Sequence, residues 1–226
     1  MFLATLDNYL STVDWTDIGH ATLDTLSMTG WSLLFTVILG LPLGIFLFLT
    51  GRGQLLDNRP LYSVLALLAN VIRSVPFIIL LIIMIPFTVL VVGTSIGVLG
   101  AIPPLVIGAT PFFARLVENV LREIDRGIIE ACQAMGAKTH QIILHALLPE
   151  ALPGLVAATT VTAIALVAYV AMAGVVGAGG LGDLAIRYGY QRFETGIMLI
   201  TVAILIILVQ ILQVIGDTVV QRLTRK

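Results

Sequence analysis

Along this chain, apolar and polar residues fall in long blocks rather than alternating. Residues 26–50 carry no charge over 25 positions, residues 74–114 none over 41, residues 151–182 none over 32 and residues 195–216 none over 22. A helix needs about 20 apolar residues to cross a bilayer. The blocks predict five spanning helices, over 26–49, 61–86, 96–120, 155–176 and 195–215. The 41-residue block exceeds one span and must fold back, and Gly93-Thr94-Ser95 is the turn signal inside it. The expected fold class is an all-α integral membrane protein with five transmembrane helices, forming one domain over residues 1–226.

Composition sharpens this picture. Hydrophobic residues make up 58% of the chain and charged residues 11%, where a soluble domain is about a quarter charged. The lipid bilayer is therefore the first partner. A net charge of -1 argues against nucleic acid. The single Cys132 excludes an internal disulfide and offers no metal-ligand spacing. The first residues lack a basic stretch and a cleavage site, so they do not read as a removable signal peptide. Residues 1–25 read instead as a short segment on the outer membrane surface, with Val13, Trp15, Ile18 and Leu23 towards lipid. Trp15 and Trp31 suit the interface belt.

Lys and Arg set the orientation. Residues 1–25 hold none, but do hold Asp7, Asp14, Asp17 and Asp24. With the N-terminus outside, five spans leave the C-terminus in the cytoplasm. The inner segments then carry Arg52, Arg59, Arg115, Arg122, Arg126, Lys138, Arg222, Arg225 and Lys226, against only Arg187 and Arg192 outside.

One polar island interrupts the apolar blocks, at about 124–152. Asp125 can cap a helix starting at Arg126. Ile128, Cys132 and Met135 fall on one face at i, i+4 and i+7. Gly136 suits the left-handed position after a helix. Thr139 can cap a second short helix, which Pro149 would end. Two readings are open from these residues alone: a surface loop of a membrane protein, or a knob that another protein grips.

Candidate pathway residues follow from cost. Arg73 would lie about 18 Å along a helix starting at Leu61, where a charge normally faces a cavity or a partner. Glu118 and Glu150 are the candidate partners. Pro76 should kink the helix just after Arg73-Ser74. The competing reading is that Arg73 snorkels to the cytoplasmic edge. The fourth helix is rich in Ala, Thr and Gly, which let helices approach closely, and it is the candidate to line a dimer interface and a pore. Tyr169 and Met172 are its bulky exceptions. Met172, near the outer end, either plugs a narrow channel or fills space.

Gly177-x-Gly179-x-x-Gly182 matches a dinucleotide fingerprint, but that motif needs a strand before it and a helix after. After a membrane helix, Gly177, Gly179, Gly180 and Gly182 fit a tight turn at an outer rim. No phosphate loop of the form G-x-x-x-x-G-K-[ST] and no H-E-x-x-H occurs, and His20, His140 and His145 lie outside the spans. The spans hold essentially no buried carboxylate for ion coupling, Glu118 at a helix end being the nearest, so the energy source should be external.

Glu130-Ala131-Cys132-x-x-x-Gly136-Ala137, followed by Leu148-Pro149, resembles the EAA loop of type I ABC importer permeases. The usual form is E-A-A, three residues, G, nine residues, I-x-L-P. Here Cys132 replaces the second Ala and Ala146 replaces Ile. The runs 73–81, 147–154 and 177–182 are similar to the methionine-uptake permeases, so the likeness extends over nearly the whole chain. The resemblance implies the type I permease fold and a multi-pass protein of the bacterial inner membrane that is not itself an enzyme. It implies a homodimer, two cytoplasmic ABC ATPase subunits that grip the loop, and an extracytoplasmic substrate-binding protein at the outer rim. No cofactor is expected in this chain, ATP and Mg belonging to the ATPase. Methionine is the implied cargo, moved by alternating access.

Overall fold

The computed structural model describes residues 14–224, and among them every regular element is helical. Asp14 caps the first helix, α1 (Trp15–Thr50), its Oδ1 accepting from the Thr16 N–H at 2.9 Å. This helix begins well before residue 26. Ile18 and Ala21 are buried against Leu181 and Leu184, so Ile18 does not face lipid as expected; Trp15 and Leu23 are exposed. Val13 lies outside the described residues.

Where the second span is expected, the helix is interrupted. Asn58 caps α2 (Arg59–Ser74), accepting from the Leu61 N–H at 3.1 Å, with a proline in the first turn. Val75 then takes an extended conformation, as a residue before proline must. Pro76 caps α3 (Phe77–Ile83), so the helix is interrupted at Val75 and Pro76. α4 (Ile85–Val92) follows, with Pro86 in its first turn rather than at a helix end. Gly93 stops α4 at φ +80, bearing out the turn signal.

Three long helices remain: α5 (Gly97–Arg122), α8 (Leu148–Ala173) and α10 (Thr195–Thr224). Between α5 and α8 lie α6 (Arg126–Ala134) and α7 (Thr139–Ile142); between α8 and α10 lies α9 (Gly180–Leu184). Among the described residues, four helical stretches are long and apolar enough to cross a bilayer, and the bent α2–α3 pair counts as a fifth only if its two halves form one span. The fourth runs without interruption over Thr139–Val176, starting well before residue 155.

The chain sorts into two compact groups. Among the described residues, one comprises 14–34, Pro76–Ile107 and Ala163–Leu212; the other Phe35–Val75, Gly108–Thr162 and 213–224. The second group is centred on Phe48, Phe113, Val117, Leu121, Ala151 and Leu155, with Ile129, Ile142 and Leu147 of the polar island buried in the same cluster.

Candidate functional site

The island folds as two short helices joined by a glycine stop. Asp125 caps α6, accepting from the Gly127 N–H at 2.9 Å. At the other end the Gly136 N–H donates to the Gln133 carbonyl at 2.9 Å and the Ala137 N–H to the Cys132 carbonyl at 3.0 Å. These two bonds form a Schellman closure, which needs a left-handed residue at its centre. Gly136 supplies it at φ +78. The closure sets Ala137 opposite Cys132, and both are partly buried against the same core. Small side chains at 132 and 137 follow from that geometry.

The structure departs from three sequence expectations. The cap of α7 is Lys138, whose N–H donates to Gln141 Oε1 at 2.8 Å; Thr139 is already inside the helix. The buried position of α6 is Ile129, while Met135 is 78% exposed, because the Schellman turn swings the chain away after Ala134. Pro149 does not end the second helix. Residues Ile143–Leu147 widen into a π turn with the Leu148 N–H bonded back to Ile143. Such a turn relieves the clash between a proline ring and the preceding carbonyls, and α8 continues through Pro149.

What the island buries and what it shows are distinct. Ile129, Ile142 and Leu147 go inward. Glu130, Ala131, Gly136 and Pro149 stay exposed, with Met135 and Leu144 as large apolar neighbours. Arg126, Glu130 and Gln133 also line a polar cavity of about 170 Å³ with Gly53, Gln54 and Leu55, over a floor of Ile129. Cations and carboxylates here are open to a partner, and none is held in an ion pair among the described residues.

Arg73, Ser74 and Pro76 sit together at the α2–α3 break. Arg73 occupies the last turn of α2, where a cation suits the helix dipole. It is exposed, and its guanidinium lies over the Phe112 ring at 5.7 Å. Neither Glu118 nor Glu150 is its partner. The Ser74 hydroxyl donates to the Asn70 carbonyl at 2.8 Å.

Glu118 belongs to a cluster that the sequence reading missed. Glu118 is 1% exposed. Arg115 Nη1 donates to Oε2 at 2.6 Å, Arg122 Nη2 to Oε1 at 2.7 Å, and the Tyr62 hydroxyl to Oε1 at 3.1 Å. The signal was available: Arg115, Glu118 and Arg122 stand at i, i+3 and i+7, which puts them on one helix face.

On α8, Tyr169 stacks on Phe77, ring centres 4.6 Å apart and planes at 9°. Met172 is 47% exposed, on a stripe with Val161, Ala168 and Val175. Ile164, Val167, Ala168 and Ala171 form an apolar groove of about 350 Å³ with Val202, Leu205, Ile206, Val209 and Gln210 of α10. The glycine run divides into two roles. Gly177, Gly179 and Gly180 have positive φ, while Gly182 is a close approach whose Cβ would lie 2.6 Å from Ala171 Cα.

The profile of the family described as the binding-protein-dependent transport system inner membrane component matches residues 36–226. The chain belongs to that family. As a binding-protein-dependent transport component it is a permease, not an enzyme, and the matched region takes in the whole island, the α2–α3 break, Met172 and the glycine run. It is 50% identical over 206 residues to the probable D-methionine transport system permease protein MetI of Vibrio cholerae, covering 91% of this chain and 92% of that one. It is 46% identical over 213 residues to the methionine import system permease protein MetP of Bacillus subtilis, covering 94% and 96%. Among solved structures it is similar to an inward-facing MetNI methionine ABC transporter, with a TM-score of 0.90 at 49% identity over 92% of this chain and 96% of that one. An amino acid ABC transporter with histidines, at 19% identity and a TM-score of 0.77, shares the fold.

Proposed function

We propose that this chain is the membrane-spanning subunit of an ATP-driven methionine importer, working as a homodimer with two cytoplasmic ABC ATPase subunits and an outer substrate-binding protein. The names of the relatives support the cargo and the ATPase partner. The excess of Lys and Arg on one set of segments supports an N-terminus outside and a C-terminus in the cytoplasm. In this reading ATP and Mg bind the ATPase subunits.

The observation that carries the reading is the anchoring of the island. Ile142 and Leu147 are buried in one cluster with Phe113, Val117 and Leu121 of α5 and with Ala151, Leu155 and Ala158 of α8. A push on the exposed residues Glu130, Ala131, Met135 and Gly136 therefore moves two spanning helices and is not absorbed by loop flexure. Cys132, Ala137, Leu148 and Pro149 hold that shape. In this account Met172 and Tyr169 face the translocation path, the Arg73-Ser74-Val75-Pro76 break gives it a hinge, and the Gly177–Gly182 turn forms the outer rim met by the binding protein.

Vesicles containing this chain, its ATPase subunit and its binding protein test the proposal. ATP-dependent uptake of labelled methionine is expected, with Gly136→Asp inserting normally but abolishing both uptake and binding-protein-stimulated ATP hydrolysis. Undiminished uptake by that variant contradicts the docking role. Uptake of another solute but not methionine contradicts the cargo.

A further inference from the structure

We infer that the Tyr62–Glu118–Arg115–Arg122 cluster is the joint that makes α2 follow the coupling island, with Glu118 as a positioning residue for transport. This rests on the reading that the island receives force from the ATPase.

The hold of α2 on its neighbours is unusual. Of its sixteen residues only Ala66 and Ala69 are buried, while Leu61, Val64, Leu67, Leu68 and Val71 are exposed. Its apolar packing is confined to one patch, Ala66 with Leu47 and Ala114, flanked by Tyr62 and Leu65, and polar contacts to α5 run along the helix. Tyr62 reaches Glu118 at 3.1 Å. Arg115 Nη2 reaches the Asn70 Oδ1 at 3.3 Å and the Ala66 carbonyl at 3.5 Å. Arg73 lies over Phe112. From Tyr62 to Arg73 these contacts cover about 16 Å of helix.

Glu118 is the hub of that set. It accepts from Arg115, from Nε and Nη2 of Arg122, and from Tyr62. Both guanidinium groups also lie near the Tyr62 ring, at 6.0 and 5.9 Å from its centre. Charge-assisted bonds to a buried carboxylate fix direction as well as distance. Arg122 is the last residue of α5, three before the Asp125 cap of α6. A displacement of α6 carried along the chain enters α5 at Arg122, and the bonds of Glu118 to Arg122 and Tyr62 pass it to the helix that ends in Arg73-Ser74.

The test uses the complete complex in vesicles and measures methionine imported per ATP hydrolysed. Glu118→Gln keeps the side-chain shape and removes the charge. The complex is expected to assemble, to hydrolyse ATP within twofold of the parent, and to import at least tenfold less per ATP. Tyr62→Phe keeps every charge and is expected to lower the ratio two- to threefold; Glu118→Asp should restore part of it. Loss of import and hydrolysis together, in proportion to assembled complex, would mean that the cluster only stabilises the fold. An unchanged ratio in both variants overturns the joint outright. If Glu118→Gln does not assemble, Tyr62→Phe decides alone. The parent complex and Gly136→Asp in the same vesicles report separately on the coupling reading.

Discussion

Between α5 and α8 the chain inserts α6 and α7; between α8 and α10 it inserts α9. Both connections are short helices punctuated by glycines at positive φ, yet they use their glycines differently. In the α6–α7 connection Gly136 has no atom within 4 Å of the place a Cβ would take. It is needed for backbone direction only, and its Cα faces open space while Cys132 and Ala137 on either side rest on the core. In the α9 connection Gly182 presses on the Ala171 backbone and the added Cβ of Gly180 would lie 2.7 Å from the Thr25 hydroxyl oxygen. Gly180, Leu181, Gly182 and Leu184 are all buried. The lesson concerns role. A connection that must meet a partner anchors a few side chains and keeps its turn open, whereas one that must seal an end packs its backbone.

The largest effect that probes this difference is Gly182→Ala. The new methyl meets backbone and cannot be accommodated by a rotamer change. A cost of about 3 kcal/mol or more is expected, read as a lower thermal midpoint and a poor yield of folded protein in detergent. Gly136→Ala, facing open space, should cost only about 1–2 kcal/mol, the strain of its left-handed conformation. Equal losses would erase the contrast.

Within the α6–α7 connection, Ile142→Ala removes a fully buried anchor and should cost about 3 kcal/mol. Leu144→Ala, at a side chain 57% exposed, should stay within about 0.5 kcal/mol. Thermal unfolding of the two variants side by side measures how far the connection is anchored. A smaller effect is expected at Thr25, whose Oγ1 accepts from the Leu181 N–H at 2.9 Å across 156 residues of sequence. Thr25→Val leaves that N–H buried and unpaired, at about 1–2 kcal/mol. Faster hydrogen exchange at Leu181 would report the same loss.

Much of this was legible in the sequence, for physical reasons. Blocks without charge disclose membrane helices because nothing else tolerates them, and Gly93 and Gly136 disclosed their turns because few other residues accept positive φ. Asp125 was legible as a cap. What escaped depended on partners distant in sequence. The N-terminal extension of α1 was hidden because Asp14, Asp17 and Asp24 look like a surface, although Ile18 and Ala21 pack on Leu181 and Leu184. The fate of Pro149 was hidden because a π turn absorbs it. Arg73 was paired with the wrong group, since Glu118 is already held by two arginines on its own helix and by Tyr62 of another.

The central claim is that force enters through the exposed face of α6 and its glycine turn. A photo-crosslinking residue in place of Met135, activated during ATP turnover in the reconstituted complex, tests it most directly. The account predicts a covalent adduct with the ATPase subunit whose yield changes between nucleotide-free and ATP-bound states. Adducts with lipid alone, in every state, would contradict it.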